Sequence, residues 1–231
     1  MAHRRIEHSE GRVWAGALSG QEILRCLKRR GNALTIMPPL YPQKEWESVL
    51  GHSNSIDLRL GTELIVMKKS ELATLQFRNT KELKIDLRRF YERVHVGPDQ
   101  EFMLHPHELV LGAAFEYVVL PTDLMAYITG RSSWGRLGLI IATATAIHPG
   151  FKGCPTLEIV NLGNIPIPLF PGSPVPIAQL VFHGVGSGQR GYGGKYSGWV
   201  GPTGPGYSKI QEDSGFSEWL EGRGGVSVVT E

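Results

Sequence analysis

Cysteine is scarce in this 231-residue chain, with Cys26 and Cys154 its only two. They form no C-x-x-C for a structural or catalytic zinc, and no framework of the kind that staples small secreted domains. Long apolar runs are lacking as well. The start, MAHRRIEHSEGRVW, is basic but has no apolar stretch behind it, and nowhere does an uninterrupted run reach membrane-spanning length. A soluble, cytoplasmic chain is expected, with no membrane contact. An excess of one charge is also missing: Lys and Arg total 24 against 22 Asp and Glu, and charged residues make up 20% beside 41% hydrophobic. That balance argues against disorder and against a general nucleic-acid-binding surface, while leaving room for a local anion site.

Glycine and proline are plentiful, at 29 and 15 residues. So many turn formers favour short strands over long helices, and the fold class expected is all-β, in one sizeable core. Residues 1–17 show no period and read as an N-terminal arm, 18–183 as the core, and 184–231 as a glycine-rich lid and tail. The spacing predicts a helix opening at Ser19, with Glu22 at the capping-box position, an apolar stripe of Ile23, Leu24 and Leu27, and an end at Lys28-Arg29-Arg30-Gly31. From Ala33 to Leu50 the prolines point to loop or edge segments. Ser55 to Gly61 alternates as a strand closing in a glycine turn, followed by a short strand Leu64–Met67; residues 63–103 otherwise read as a solvated face. Short strand-like runs follow, punctuated by Gly112, by Pro121-Thr122-Asp123 and by Gly130.

His105-Pro106-His107-Glu108 raises the question of a metal. Its spacing does not fit the H-x-E and P-C-x-x-C pattern of zinc deaminases, and a turn is the simpler reading. The chemistry concentrates further on, between Gly130 and Glu158. Arg131, Ser132, Ser133 and Arg136 put two permanent cations and two hydroxyls within six residues, between Gly130 and Gly135, a combination suited to phosphate. A solvated loop would look similar. Thr143–Ala146 offers small side chains that leave room for a flat ring. Ile147 and Phe151 then flank His148-Pro149-Gly150 in a hairpin-like turn, where the aromatic can pack against a sugar or simply fill the core. Thr156, Glu158 and Val160 share one strand face, and a carboxylate among apolar neighbours gains the raised pKa that proton transfer needs.

In these residues the chain resembles the dCTP deaminases of the dUTPase-like superfamily. GRSSWGRLGL, IHPGFKGCPTLEIVN and PIPLFPGSPVPIAQLVF carry the resemblance, with LSGQEI, SIDLRLG and FMLHPHELVLGAAFEYVVLPTDLMAYITGRSS upstream, from about Leu18 to Pro202. The resemblance implies a dUTPase-like distorted β-barrel (β-clip) with a short N-terminal helix and a flexible C-terminal lid, assembled as a homotrimer with shared active sites. It implies hydrolysis of dCTP to dUTP and ammonia, without a metal at the base and with Mg2+ entering on the triphosphate. Glu158 takes the place of the general acid/base, Ser132 and Arg136 border the catalytic water, and Arg131, Ser133 and Lys195 hold phosphates. Ala144, Ile147, His148, Phe151, Thr156, Tyr192 and Trp199 complete the expected substrate-binding set. Two positions depart from the family. His148 stands where relatives usually carry Asp, which argues against dUTP diphosphatase activity, and Trp199 replaces a Gln of the lid. Both leave open a modified or differently phosphorylated cytosine nucleotide as substrate. A nucleotide-binding or sensing protein without catalysis is the other alternative.

Overall fold

In the computed structural model, residues 16–68, 90–97, 99–142, 146–186, 191–193 and 198–204 are described. The chain divides into two compact units, 1–66 with 93–203, and 67–92 with 204–231. In the smaller unit, Lys68 N–H donates to Phe90 O at 2.7 Å and the Lys68 ammonium pairs with Glu92 at 3.3 Å.

The larger unit opens with α1 (Gly20–Leu27), whose start is set by the expected capping box. Ser19 Oγ accepts from Glu22 N–H, and the Glu22 carboxylate accepts from Ser19 N–H at 2.7 Å. Its stripe of Ile23, Leu24 and Cys26 is buried. The 33–50 stretch contains more regular structure than its prolines suggested. β1 (Thr35–Met37) is followed by a second helix, α2 (Trp46–Leu50), which begins four residues after Pro42. The two helices meet closely at Gly20, where an added Cβ would lie 1.7 Å from Leu50 O.

The strands that follow are β2 (Ile56–Met67), β3 (Tyr91–His95), β4 (Phe102–Leu104), β5 (Leu109–Ala114), β6 (Tyr117–Val119) and β7 (Leu124–Gly130). A short helix, α3 (Ser132–Gly135), separates these from β8 (Leu139–Ile141), β9 (Ala146–Ile147), β10 (Lys152–Gly153), β11 (Thr156–Asn161), β12 (Ile167–Leu169) and β13 (Pro176–Gly184). The main sheet runs β8-β11-β5-β2-β13-β7-β9, beside a smaller sheet β1-β6-β10 and the pair β12-β4. The fold is therefore mostly β, its core filled by alternate strand residues such as Leu58, Leu60, Leu157, Ile159, Leu180 and Phe182.

Three local expectations are corrected. Gly61 does not end its strand: β2 continues to Met67, with a register irregularity between Leu60 and Leu64. Gly112 lies inside β5, where an added Cβ would sit 2.5 Å from Leu60 Cδ1, so the glycine admits a side chain from the neighbouring strand. The 149–153 turn is not a closed hairpin, because β9 pairs with β7 while β10 pairs with β6. His105–Glu108 is a turn as expected, with Glu108 N–H donating to His105 O at 3.2 Å. No helix among the described residues is long and apolar enough to cross a membrane.

Candidate functional site

Strand β7 ends at Gly130, and the next residues turn into α3. Trp134 Nε1–H anchors that helix to β13 by donating to Pro176 O at 3.0 Å. The exit is fixed at Gly138, which has φ +98° and would place a Cβ 2.5 Å from Gly163 N; Leu162 N–H donates to Gly138 O at 2.8 Å. Held at both ends, the loop exposes its polar side chains. Arg131, Ser132 and Ser133 line a cavity of about 530 Å3, together with Leu139, Ile140, Ile141 and Gln179.

The polar wall of this cavity is organised from behind. Asp57 on β2, Gln179 on β13 and Thr129 on β7 are neighbours in register. The Asp57 carboxylate pairs with Arg131 Nη1, and Gln179 Oε1 accepts from Ser55 Oγ at 3.1 Å. With its oxygen engaged, Gln179 keeps its amide N–H groups as donors. The sequence alone neither marks Gln179 as part of this wall nor connects Asp57 to Arg131. The signal available was weak, a polar residue inside an otherwise apolar strand. Arg59, on the same strand face as Asp57, is committed elsewhere. Its Nε–H donates to Glu116 Oε1 at 2.6 Å and its N–H to Oε2 at 2.9 Å, with Glu116 fully buried. Burial pushes the Glu116 carboxyl up, against the opposing pull of Arg59.

Glu158 lies on β11, opposite Leu111 of β5, with its backbone O accepting from Ala142 N–H at 2.8 Å. The alternation is as expected: Leu157 and Ile159 are buried, while Thr156, Glu158 and Val160 share the half-buried face. Desolvation raises the Glu158 carboxyl above its ordinary 4.5. Glu158 is not among the residues lining the Arg131 cavity, and neither is Arg136, whose N–H donates to Ser132 O at 3.1 Å.

A further group forms at the 148–151 turn. Ile147 and Phe151 are buried, as core packing would have them. The exposed His148 ring stacks on Tyr192 at 5.7 Å between centroids, and Phe151 tilts against the same ring at 6.1 Å. Tyr192 N–H donates to Pro149 O at 2.8 Å. The Thr156 hydroxyl is bonded to Thr203, and the Trp199 side chain is about half exposed. Ala144 and Lys195 lie outside the described residues. Among the described residues, no three His, Cys, Asp or Glu side chains converge as metal ligands.

Chemically, the cavity offers a guanidinium fork and two hydroxyls to an anion, while Glu158 offers a carboxylate poised to move protons. A family model described as dCTP deaminase-like matches residues 17–185. The chain is 40% identical over 165 residues to a dCTP deaminase of Natronomonas pharaonis, which covers 70% of this chain and 82% of the relative. It is 41% identical over 165 residues to a dUMP-forming dCTP deaminase of Methanosphaera stadtmanae, covering 69% of this chain and 80% of that one. Among solved structures, the 2'-deoxycytidine 5'-triphosphate deaminase of Agrobacterium tumefaciens superposes with a TM-score of 0.52 at 25% identity. That match covers 74% of this chain and 48% of the other, so the chain spans about half of its length.

Proposed function

We infer, because the chain belongs to the dCTP deaminase-like family, that it hydrolyses the cytosine amino group of dCTP, converting dCTP and water to dUTP and ammonia. The observation that carries this reading is Glu158, a carboxylate half withdrawn from water with its pKa raised by that burial. A base poised in this way removes a proton from water as the oxygen attacks C4 of cytosine. The same carboxyl passes the proton to N3 and assists the departure of ammonia. Ser132 and Arg136 orient the water and steady charge on the ring. Arg131, Ser133 and Lys195 hold the triphosphate, which arrives as its magnesium complex and is written here as substrate. Ala144 borders the catalytic water, Ile147, His148 and Phe151 border the sugar, Tyr192 joins the phosphate ligands, and Thr156 and the lid residue Trp199 complete the substrate-binding set.

Glu158 is not among the residues that line the Arg131 cavity of its own chain. This supports a site shared between subunits, in a homotrimer, with the cavity of one chain facing Glu158 of another. The setting is cytoplasmic, in keeping with two buried cysteines that are not disulfide-bonded.

Product analysis tests the reading. Purified protein with magnesium is incubated in parallel with dCTP, CTP, dCMP and dUTP, with Glu158→Gln as control. Conversion of dCTP to dUTP, lost in Glu158→Gln, is expected. The relative from Methanosphaera is named dUMP-forming. His148 supplies no fixed negative charge to hold a water for diphosphate release, so dUTP is expected to persist. Accumulation of dUMP from dUTP would place a second reaction in the same site. No turnover of any nucleotide, with dCTP still bound, would favour a modified substrate or a sensor.

A further inference from the structure

The segment from Gly198 to Thr203 reads in the sequence as linker, yet it is seated along β10 and β11 by a series of hydrogen bonds. Gly198 N–H donates to Lys152 O at 2.6 Å, and Cys154 N–H donates to Trp199 O at 2.8 Å. Strand β10, paired with β6, thereby gains a further backbone neighbour. Arg93 Nη2 donates to the carbonyl of buried Pro202 at 3.2 Å. At the end, Thr203 N–H donates to Thr156 Oγ1 at 3.2 Å, and the two hydroxyl oxygens are 3.0 Å apart.

The Thr156 hydroxyl meets Thr203 twice. It accepts from the Thr203 amide and has one proton of its own, which the Thr203 oxygen can accept. Thr156 stands two residues from Glu158 on the same face of β11, about 7 Å along the strand. A glycine-rich segment loses much entropy on ordering, so its position depends on such contacts.

We propose that Thr203 is a positioning residue of the deaminase: locked to Thr156, it seats the 198–203 segment beside Glu158 and limits the access of bulk water to that carboxylate. The proposal rests on the deaminase reading above, and it assigns the Thr156 hydroxyl to the tail rather than to the nucleotide.

The test uses the full chain as wild type, Thr203→Val, Thr203→Ser, Thr156→Val and the Thr156→Val/Thr203→Val double variant. Steady-state kinetics on dCTP are measured across pH, with hydrogen exchange at the Cys154 and Gly198 amides. Thr203→Val is expected to lower kcat about fivefold, the worth of one hydrogen bond, and Thr203→Ser to restore it. Better hydration of Glu158 should move the acid limb of kcat/KM to lower pH in Thr203→Val. The double variant should be no worse than the more damaged single one, because both remove the same contact. Exchange at the Cys154 amide should quicken in each valine variant. Multiplying losses in the double variant, or wild-type kinetics and exchange in Thr203→Val, would overturn the proposal. Should the wild type leave dCTP untouched, the deaminase reading falls and the catalytic role with it, while the exchange measurements still decide whether the Thr156–Thr203 contact orders the tail.

Discussion

The loop from Arg131 to Arg136 and the strand that carries Glu158 solve opposite problems. The loop pushes a guanidinium and two hydroxyls into an open cavity and is held by Asp57 on Arg131, by Trp134 on Pro176 O and by Gly138 against Gly163. Strand β11 withdraws its carboxylate instead, between apolar strand partners and beside a segment of the tail. Anion recognition needs donors aimed into open space with N–H and O–H groups to spare, whereas proton transfer near neutral pH needs a carboxylate that water hydrates poorly. Each region is built for one of these tasks.

The sharpest way to break the contrast is Glu158→Gln. Removing a general base should lower kcat on dCTP by about 10^3-fold while leaving nucleotide binding in place. Turnover assays with a parallel binding titration check this. Arg131→Ala acts on the other region and should raise KM for dCTP by roughly 10- to 100-fold, the worth of a charged hydrogen bond. Its kcat should change far less, and equal losses in both parameters would show that the two regions do not divide their labour. Asp57→Asn should be milder. It frees Arg131 from the partner that aims it, at a cost of about 1 kcal/mol for a partly exposed pair, or roughly fivefold in KM. The smallest effect is in the pH profile. A base must be ionised, and burial raises the Glu158 pKa, so kcat/KM should fall with acidity at a pH above the ordinary 4.5 of a glutamate. An acid limb at or below 4.5 would mean that the carboxylate is fully hydrated.

Much of this arrangement was legible in the residues alone. Ser19 and Glu22 announced a helix start through their spacing, and the two-residue period of Thr156-Leu157-Glu158-Ile159 placed the carboxylate on a half-buried face. The phosphate-suited cluster was equally visible, because Arg and Ser side chains advertise their chemistry without a fold. Long-range partners were not. Thr156 and Thr203 are 47 residues apart, and a glycine-rich stretch carries no periodicity from which docking could be read. Glu116, alone between Phe115 and Tyr117, gave no hint that it would be wholly buried against Arg59. Helix α2 was hidden by the prolines before it, and Gly61 and Gly112 read as turns because the neighbours that need their missing side chains lie on other strands.

Subunit mixing tests the shared site most directly. Glu158→Gln and Arg136→Ala chains, each nearly inactive alone, are dissociated together, reassociated and assayed for dUTP formation from dCTP. If sites are shared, some mixed assemblies pair an intact Glu158 face with an intact Arg136 loop, and activity should rise well above the sum of the two parents. Activity equal to that sum, in mixtures shown to exchange chains, would contradict a site built from two subunits.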